Sequence, residues 1–256
     1  MKKNKIVILA TEGKTSNICY HFLDKTFEVD SIIFERSVSR KTFLQRRIKK
    51  LGYVHVVGQI LFQLIVPKIL GIWSKKRIED IMPEKQFMAS PPPSQKTVYV
   101  NSVNDQTCIA MLQEKKPDLV IVNGTRIISK KVLSSLDCPF VNIHAGITPY
   151  YRGVHGGYWA LANQDKERCG VTVHLVDKGI DTGSILKQAN IQPTAHDNYN
   201  SYPYLQLKEG LQLLKECMPS LLDQTYTIVN SKEKGLLWHH PTLWSYLKNW
   251  IKYGVK

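Results

Sequence analysis

The chain of 256 residues is long enough for one domain of ordinary to large size, with room for a small appended piece. Its hydrophobic fraction of 43% supports a buried core and excludes a disordered protein. The formal net charge of +14 favours an anionic partner, such as a nucleotide, a nucleic acid or an acidic lipid surface, without choosing among them. The five cysteines are scattered and form no C-x-x-C pair, which predicts reduced thiols in a cytosolic protein.

Apolar runs of strand length alternate with segments of helical pattern along the chain. The first run, KIVILA, is short and leads into an acidic turn, so it is interpreted as a buried strand rather than a signal peptide. Further strands are predicted at VDSIIFE, TVYV, PDLVIVNG, PFVNIH, CGVTVHLVD and GSILKQANIQP. Apolar strands separated by helices predict an α/β fold with a Rossmann-like, mostly parallel sheet and helices on both faces. A late segment, YPYLQLKEGLQLLKECMPSLLDQ, is predicted to be a helix that packs on this sheet.

The segment from Leu51 to Trp73 is apolar over a length that can span a bilayer, and basic clusters lie on both sides of it. Polar residues and a proline interrupt the run and argue against a span: His55, Gln59, Gln63, Pro67 and Lys68. Two interpretations stay open. The segment is either a helical pair packed on the domain or, with residues 36–77, a basic amphipathic surface that contacts anionic lipid.

Candidate chemistry lies at the ends of two predicted strands. Asn142 and His144 alternate along one strand, so their side chains fall on the same face. A Gly-flanked loop after the next strand supplies Asp177 and Asp181. Ligand sites of open α/β sheets lie at such strand ends. If the two strands are neighbours, an amide donor, an imidazole and an orienting carboxylate converge, as acyl transfer through an oxyanion requires.

The blocks NIHAGITPYYRG and GVTVHLVDKGIDTGSIL together resemble the signature of the folate-dependent formyltransferase family. That signature has an Asn-x-His pair, a proline and a Tyr-Arg-Gly turn, then Gly-Val-Thr and Asp-x-Gly-x-Asp-Thr-Gly. The resemblance covers residues 118–186. One departure follows the histidine, where Ala145 to Thr148 replaces the usual Pro-Ser-Leu-Leu.

The resemblance implies an enzyme that moves the formyl group of 10-formyltetrahydrofolate to a primary amine, with no metal. Asn142 and a protonated His144 would stabilise the oxyanion, and Asp181 would orient the imidazole. Residues implied to hold the folate are Arg126, Ile127, Ile128, Asp177, Gly179 and Ile180. Residues implied to hold the acceptor are Ser16 and Asn17, at a helix N-terminus suited to phosphate, with Tyr151, Arg152 and Gly153.

Residues 1–200 are then predicted to form the catalytic domain, with 36–95 as a basic helical insertion and 201–256 as a helical extension. About seventy-five residues follow Asp181, too few for the barrel with which the tRNA enzymes of this family bind their substrate, so no nucleic-acid partner is expected. A nucleotide-linked 4-amino-4,6-dideoxy sugar is the preferred acceptor, and glycinamide ribonucleotide is the alternative. A 10-formyltetrahydrofolate hydrolase and a non-catalytic binding protein also stay open. The expected location is cytoplasmic, with peripheral contact at the inner face of the membrane and a homodimer as open interpretations.

Overall fold

The computed structural model of the protein describes residues 4–37, 40–231, 233 and 235–256. The strands are β1 Ile6–Thr11, β2 Val29–Glu35, β3 Thr97–Val100, β4 Leu119–Asn123, β5 Phe140–His144, β6 Tyr151–Gly153, β7 Gly170–Leu175, β8 Ile185–Asn190 and β9 Leu236–Trp238. The helices are α1 Lys14–Phe27, α2 Arg40–Leu51, α3 Tyr53–Ile81, α4 Gln106–Lys115, α5 Lys130–Leu133, α6 Gly156–Ala162, α7 Tyr202–Leu222 and α8 Leu243–Tyr253.

Seven strands form the main sheet in the order β3-β2-β1-β4-β5-β7-β8. The first five are mutually parallel, whereas β7 runs antiparallel to β5 and β8 runs antiparallel to β7. The predicted mostly parallel α/β sheet is therefore confirmed. A second, two-stranded sheet pairs β6 with β9.

The central strands are apolar on both faces because helices cover both. Along β1, Ile6 and Ile8 belong to the core beneath α1 and α7, while Val7 and Leu9 belong to the core beneath α4 and α5. A strand buried on both sides reads as a continuous apolar run, which is why KIVILA carries no polar alternation. The predicted helix at α7 packs against β5, β7 and β8, as expected.

The segment between β2 and β3 holds α2 and the 29-residue α3. Residues 51–73 thus lie mostly within one long helix rather than a helical pair of their own. Of the predicted basic region, residues 38 and 39 lie outside the described residues. One side of α3 packs into an aromatic cluster, where Phe62 contacts Tyr199 and Tyr246.

Polar contacts also bind α3 to the rest of the domain. Gln59 donates to the carbonyl of His240 at 2.5 Å, and the Arg77 guanidinium pairs with the buried Asp197 carboxylate at 2.9 Å. By length and composition α3 is a candidate membrane span, with a mean hydropathy of 1.7, but a single helix of this kind is weak evidence for one. Among the polar residues that interrupt its apolar run, Gln59 is thus buried and hydrogen-bonded, whereas His55, Gln63 and Lys68 are exposed.

Two partly buried histidines lie where this aromatic cluster meets the chain after β9. His155 stacks on Tyr199 with ring centroids 3.9 Å apart, and His240 Nδ1 lies 3.0 Å from the Tyr199 hydroxyl. Burial lowers the pKa of His155 to about 3 and that of His240 to about 4. Both imidazoles are therefore neutral in the folded protein at pH 5.

We expect the protein to lose stability as the pH falls below about 6.5, where histidines of the unfolded chain take up protons. The contribution of each histidine is complete above that pH and is lost as the pH approaches its folded pKa. At pH 5 each accounts for a loss of about 2 kcal/mol. Urea unfolding at pH 7.5 and pH 5 should give a smaller acid loss for His155→Asn than for the wild type. Asn suits the left-handed backbone at this position (φ 55°). Equal losses would contradict the assignment.

Candidate functional site

The pairing of β5 with β7 begins the site. Asn142 lies directly opposite His174 in the register, so the two side chains share one face of the sheet. Asn142 Nδ2 lies 3.2 Å from His174 Nε2, and His174 Nδ1 lies 2.7 Å from the Leu175 carbonyl oxygen. With Nδ1–H donating to that carbonyl, Nε2 is left to accept from the Asn142 amide.

The carboxylate of Asp181 meets both histidines from the loop between β7 and β8. One oxygen lies 3.3 Å from His144 Nδ1 and the other lies 3.7 Å from His174 Nε2. The predicted convergence of Asn142, His144 and Asp181 is therefore present in the structure, although the two strands that carry it are antiparallel. The Gly153 N–H also donates to Asp181, at 2.9 Å.

Both nitrogens of His144 face oxygen atoms. Nε2 donates to the Tyr151 carbonyl at 2.7 Å, and Nδ1 faces Asp181. Burial lowers the pKa of His144, and the Asp181 charge counteracts part of that shift. Burial also opposes ionisation of Asp181, but His144, His174 and the Gly153 N–H together hold the pKa of Asp181 below its ordinary value. Burial outweighs the Asp181 contribution, so the pKa of His144 stays below its ordinary value. The protonated His144 expected from the resemblance is therefore the minority form at pH 7, and it depends on the charge of Asp181.

Glycine is required where β6 approaches β9. Gly153 has a φ of 95°, and a Cβ placed there would lie 2.2 Å from the Trp238 carbonyl oxygen. A side chain at this position would push the two strands apart and displace the N–H that binds Asp181. Asp181 itself has a φ of 51°, a left-handed conformation that Asp tolerates better than most residues.

The loop after β4 is held by a buried glutamate from the end of β2. Glu35 accepts from the Arg126 backbone N–H at 2.5 Å and from the Val103 N–H at 3.2 Å. Its carboxylate also lies 2.6 Å from Arg126 Nε. The Arg126 guanidinium donates in addition to the carbonyls of Arg36 and Asn101. The loop that carries Arg126 is thus fixed to the neighbouring strand ends by charge-assisted hydrogen bonds.

Two cavities meet at Asp181. The first, of about 480 Å³, is lined by the catalytic and folate residues predicted from the sequence: Arg126, Ile127, Ile128, Asn142, His144, Asp177, Gly179, Ile180 and Asp181. Gly153, predicted for the acceptor, also lines this first cavity. His174, Trp238 and His239 line it as well. The second, of about 440 Å³, is lined by Thr148, Arg152, Asp181, Asn230 and Glu233, among others. Asp181 and its partners therefore lie between two spaces that can each hold a ligand.

Three predicted site residues point elsewhere. The Ser16 hydroxyl donates to the Thr11 carbonyl, and the Asn17 amide donates to the Ala89 carbonyl. The Tyr151 side chain is buried, and its hydroxyl donates to Asp165. None of the three lines either cavity, although Asn123 connects Ser16 to the first one through a hydrogen bond of 3.4 Å.

Three contributors to the site were not predicted from the sequence. His174 lies within a predicted strand; it faces the Leu175 carbonyl oxygen through Nδ1 and also lines the first cavity. Its position directly across from Asn142 follows from the β5–β7 register, which no local pattern specifies. Glu35 ends a predicted strand, and β9 is a three-residue strand, too short to have a periodicity of its own. Within the described residues, no group of three or more His, Cys, Asp or Glu is arranged to hold a metal ion.

The family model described as formyl transferase matches residues 42–216. The chain belongs to this formyl transferase family.

The chain is similar to proteins of several formyltransferase classes. It is 31% identical over 152 residues to the methionyl-tRNA formyltransferase of Caldanaerobacter subterraneus subsp. tengcongensis, covering 54% of this chain and 49% of that protein. The chain thus spans no more than half the length of the methionyl-tRNA formyltransferases that it matches.

Two solved structures illustrate the likeness in fold. A 4-N formyltransferase from Francisella tularensis has a TM-score of 0.57 at 15% identity, covering 93% of this chain and 77% of that one. An N-formyltransferase from Helicobacter canadensis, in complex with folinic acid and dTDP-3-aminofucose, has a TM-score of 0.54 at 15% identity, covering 92% and 70%. At these identities the likeness establishes the fold alone.

We expect Glu35→Ala to lower the free energy of unfolding by about 3 kcal/mol, because it leaves two backbone N–H groups and the partly buried Arg126 guanidinium without their carboxylate. The matched control is Glu216→Ala, which removes a carboxylate that pairs with Lys187 at the surface, where both side chains are about half exposed. The control should cost less than about 1 kcal/mol. Urea unfolding at pH 7 measures both values. Equal losses would contradict a special role for Glu35.

Proposed function

We propose that the protein transfers the formyl group of 10-formyltetrahydrofolate to a primary amine. The observation that carries the proposal is the position of Asp181, with His144 beside it, between two cavities. Folate would occupy the cavity lined by Arg126, Ile127 and Ile128, and the amine would enter from the other side. Such a pair of sites brings the amine against the formyl carbon and makes the reaction effectively unimolecular.

In this proposal the amine attacks the formyl carbon, a new N–C bond forms, and the bond from that carbon to the folate nitrogen breaks. Negative charge develops on the formyl oxygen. Asn142 Nδ2 supplies the hydrogen bond to this oxygen. His144 contributes positive charge in its protonated form, and it makes no direct hydrogen bond because both of its nitrogens already face protein oxygens. The amine proton passes to the folate nitrogen through a water positioned by Asp181.

We infer that the acceptor is a nucleotide-linked 4-amino-4,6-dideoxy sugar. Arg152 lines the second cavity, and its buried Nε has no hydrogen-bond partner among the described residues, so it offers a donor to a phosphate. The fold likeness to a 4-N formyltransferase and to an enzyme crystallised with a nucleotide-linked amino sugar supports the same class. In this assignment the backbone of Gly153 belongs to the acceptor site. Asp177, Gly179 and Ile180 belong to the folate site. Ser16, Asn17 and Tyr151 contribute to acceptor binding from positions outside the two cavities.

The proposed division of the chain assigns residues 1–200 to the catalytic domain, with 36–95 inserted in it, and residues 201–256 to an extension. The location proposed for this chemistry is the cytoplasm, where folate and nucleotide sugars are available. The contact of α7 with the sheet and the pairing of β9 with β6 support an extension that completes the domain rather than a separate unit.

The direct assay is release of tetrahydrofolate from 10-formyltetrahydrofolate, without an acceptor and with a panel of nucleotide-linked amino sugars and glycinamide ribonucleotide. Release that requires one amino sugar is the expected result. Release that requires glycinamide ribonucleotide would show that this ribonucleotide, and not an amino sugar, is the acceptor. Release with no amine would indicate a hydrolase, and no release under any condition would contradict the proposed transfer.

We expect Asn142→Ala and His144→Ala each to lower kcat/KM by about 10² to 10³, as loss of a preorganised oxyanion contact does. Asp223→Asn, at an exposed helix end remote from both cavities, is the matched control and should leave the rate unchanged. Steady-state rates with the acceptor identified above measure the effect. Wild-type turnover in either alanine variant would remove that residue from the mechanism.

Asp181→Asn should move the pH dependence as well as the rate. Without the carboxylate, His144 loses the largest contribution that raises its pKa, so this pKa falls further and the charged form is retained only at lower pH. The upper pH limit of the remaining activity should therefore shift to lower pH. A pH profile of kcat/KM measures this shift, and an unchanged profile would show that the titration of His144 is not controlled by Asp181.

A further inference from the structure

The described part of the chain concentrates its exposed apolar side chains on two helices. Of the 20 large hydrophobic residues that are exposed, nine lie on α3 and five on α8. We call these 14 side chains the α3–α8 surface. Soluble proteins rarely expose apolar residues in such density, and large apolar patches mark interaction sites.

The exposed apolar side chains of α3 follow a helical repeat. Val54, Val57, Leu61, Leu64 and Ile72 recur at intervals of three, four or eight residues and lie on the side opposite the buried Phe62 and Val66. The helix is thus apolar on both its packed side and its outer side. A helix that only covered a soluble core would carry polar residues on its outer side.

The two helices form one continuous surface. The Trp244 ring of α8 lies against Gly58 of α3, where a Cβ would come within 2.2 Å of the ring. Trp244 nevertheless remains 46% exposed, so it extends the apolar side of α3 onto α8. Ile251, two turns further along α8, is 85% exposed.

The charge around the α3–α8 surface is predominantly positive, with Glu79 and Asp80 in the last turn of α3 as the exposed acidic exceptions. The sequence has no Asp or Glu between residues 36 and 78, and none after Glu233. Exposed lysines on the same two helices include Lys68, Lys75, Lys76, Lys248 and Lys252. A second copy of the chain would bring like charges together, whereas anionic lipid headgroups would neutralise them.

The polar contacts of α3 indicate how it would meet a bilayer. Gln59, Pro67 and Arg77 are bound to residues of the domain near the start, middle and end of the helix: the Pro67 carbonyl accepts from Asn200, and Arg77 pairs with Asp197. Spanning a bilayer would break these contacts. The helix, about 44 Å long at 1.5 Å per residue, would lie flat instead.

We propose that the α3–α8 surface is a membrane-docking surface that inserts its apolar side chains at the headgroup level of an anionic bilayer. Trp73, Trp244 and Trp250 provide the amphipathic rings that favour this depth, and the lysines add electrostatic attraction. The protein binds peripherally through two surface helices. This surface is separate from the Asn142 and Asp181 chemistry, so its failure and the failure of the proposed transfer are distinguishable.

The test is sedimentation of the full chain with vesicles of phosphatidylcholine alone or with one-third phosphatidylglycerol. We expect binding to the anionic vesicles that weakens with added salt. Ile72→Ser with Ile251→Ser should lower the partition coefficient by about tenfold or more, because two inserted side chains lose their apolar contact. The matched control, Met88→Ser with Tyr99→Ser, removes two exposed apolar side chains elsewhere and should bind as the wild type does.

A second variant tests the charges. Lys75→Gln with Lys76→Gln should weaken binding to anionic vesicles by about tenfold and leave binding to neutral vesicles unchanged. If the wild type bound neither kind of vesicle, the proposal would be overturned. It would also be overturned if Met88→Ser with Tyr99→Ser weakened vesicle binding as much as Ile72→Ser with Ile251→Ser does. A dimer in sedimentation velocity that Ile72→Ser with Ile251→Ser dissociates, without vesicle binding, would assign the surface to a second copy instead.

Discussion

The carboxylate of Asp181 is the contact on which the site depends. It accepts from the Gly153 N–H, faces His144 Nδ1 and lies near His174, and so it joins the β7–β8 loop to β5, β6 and β7. An ionised carboxylate can accept both from the Gly153 N–H and from a protonated His144 Nδ1, whereas a neutral acid would carry a hydrogen atom on one of its oxygens. Burial opposes ionisation, but the surrounding donors outweigh it and keep the group charged. Ionisation of Asp181 therefore favours the charged form of His144.

A second buried carboxylate, that of Glu35, is likewise surrounded by hydrogen-bond donors. Glu35 is nearly inaccessible, yet it faces a guanidinium and two backbone N–H groups. These partners fix the loop that carries Arg126 without contributing atoms to a reaction. The loop that carries Arg126 follows β4, and Glu35 thereby attaches it to β2, which lies two strands away in the sheet. A preorganised loop of this kind reduces the entropy that ligand binding would otherwise cost.

The structure of the long helix α3 explains why its sequence allowed two interpretations, packing on the domain and contact with lipid. Its inner side packs on the aromatic cluster around Tyr199, and its outer side remains apolar and exposed. Both interpretations were based on one apolar run, because a helix that is apolar all round does not reveal which side faces the protein. The packing that separates the two sides comes from α8 and from residues just before and after α7, far away in the sequence.

The sequence by itself determined the order of strands and helices, the buried character of the sheet and the residues of the Asn-His-Asp group. Apolar runs and polar residues at strand ends are local patterns, and the two motif blocks carried the family. The tertiary structure alone decided that His174 lies opposite Asn142, that Glu35 holds Arg126, and that β9 pairs with β6. It also decided that Ser16, Asn17 and the Tyr151 side chain lie outside the cavities, because hydrogen bonds within the protein already engage them. Such pairings join residues distant in the chain, and their energy depends on geometry that no local pattern records.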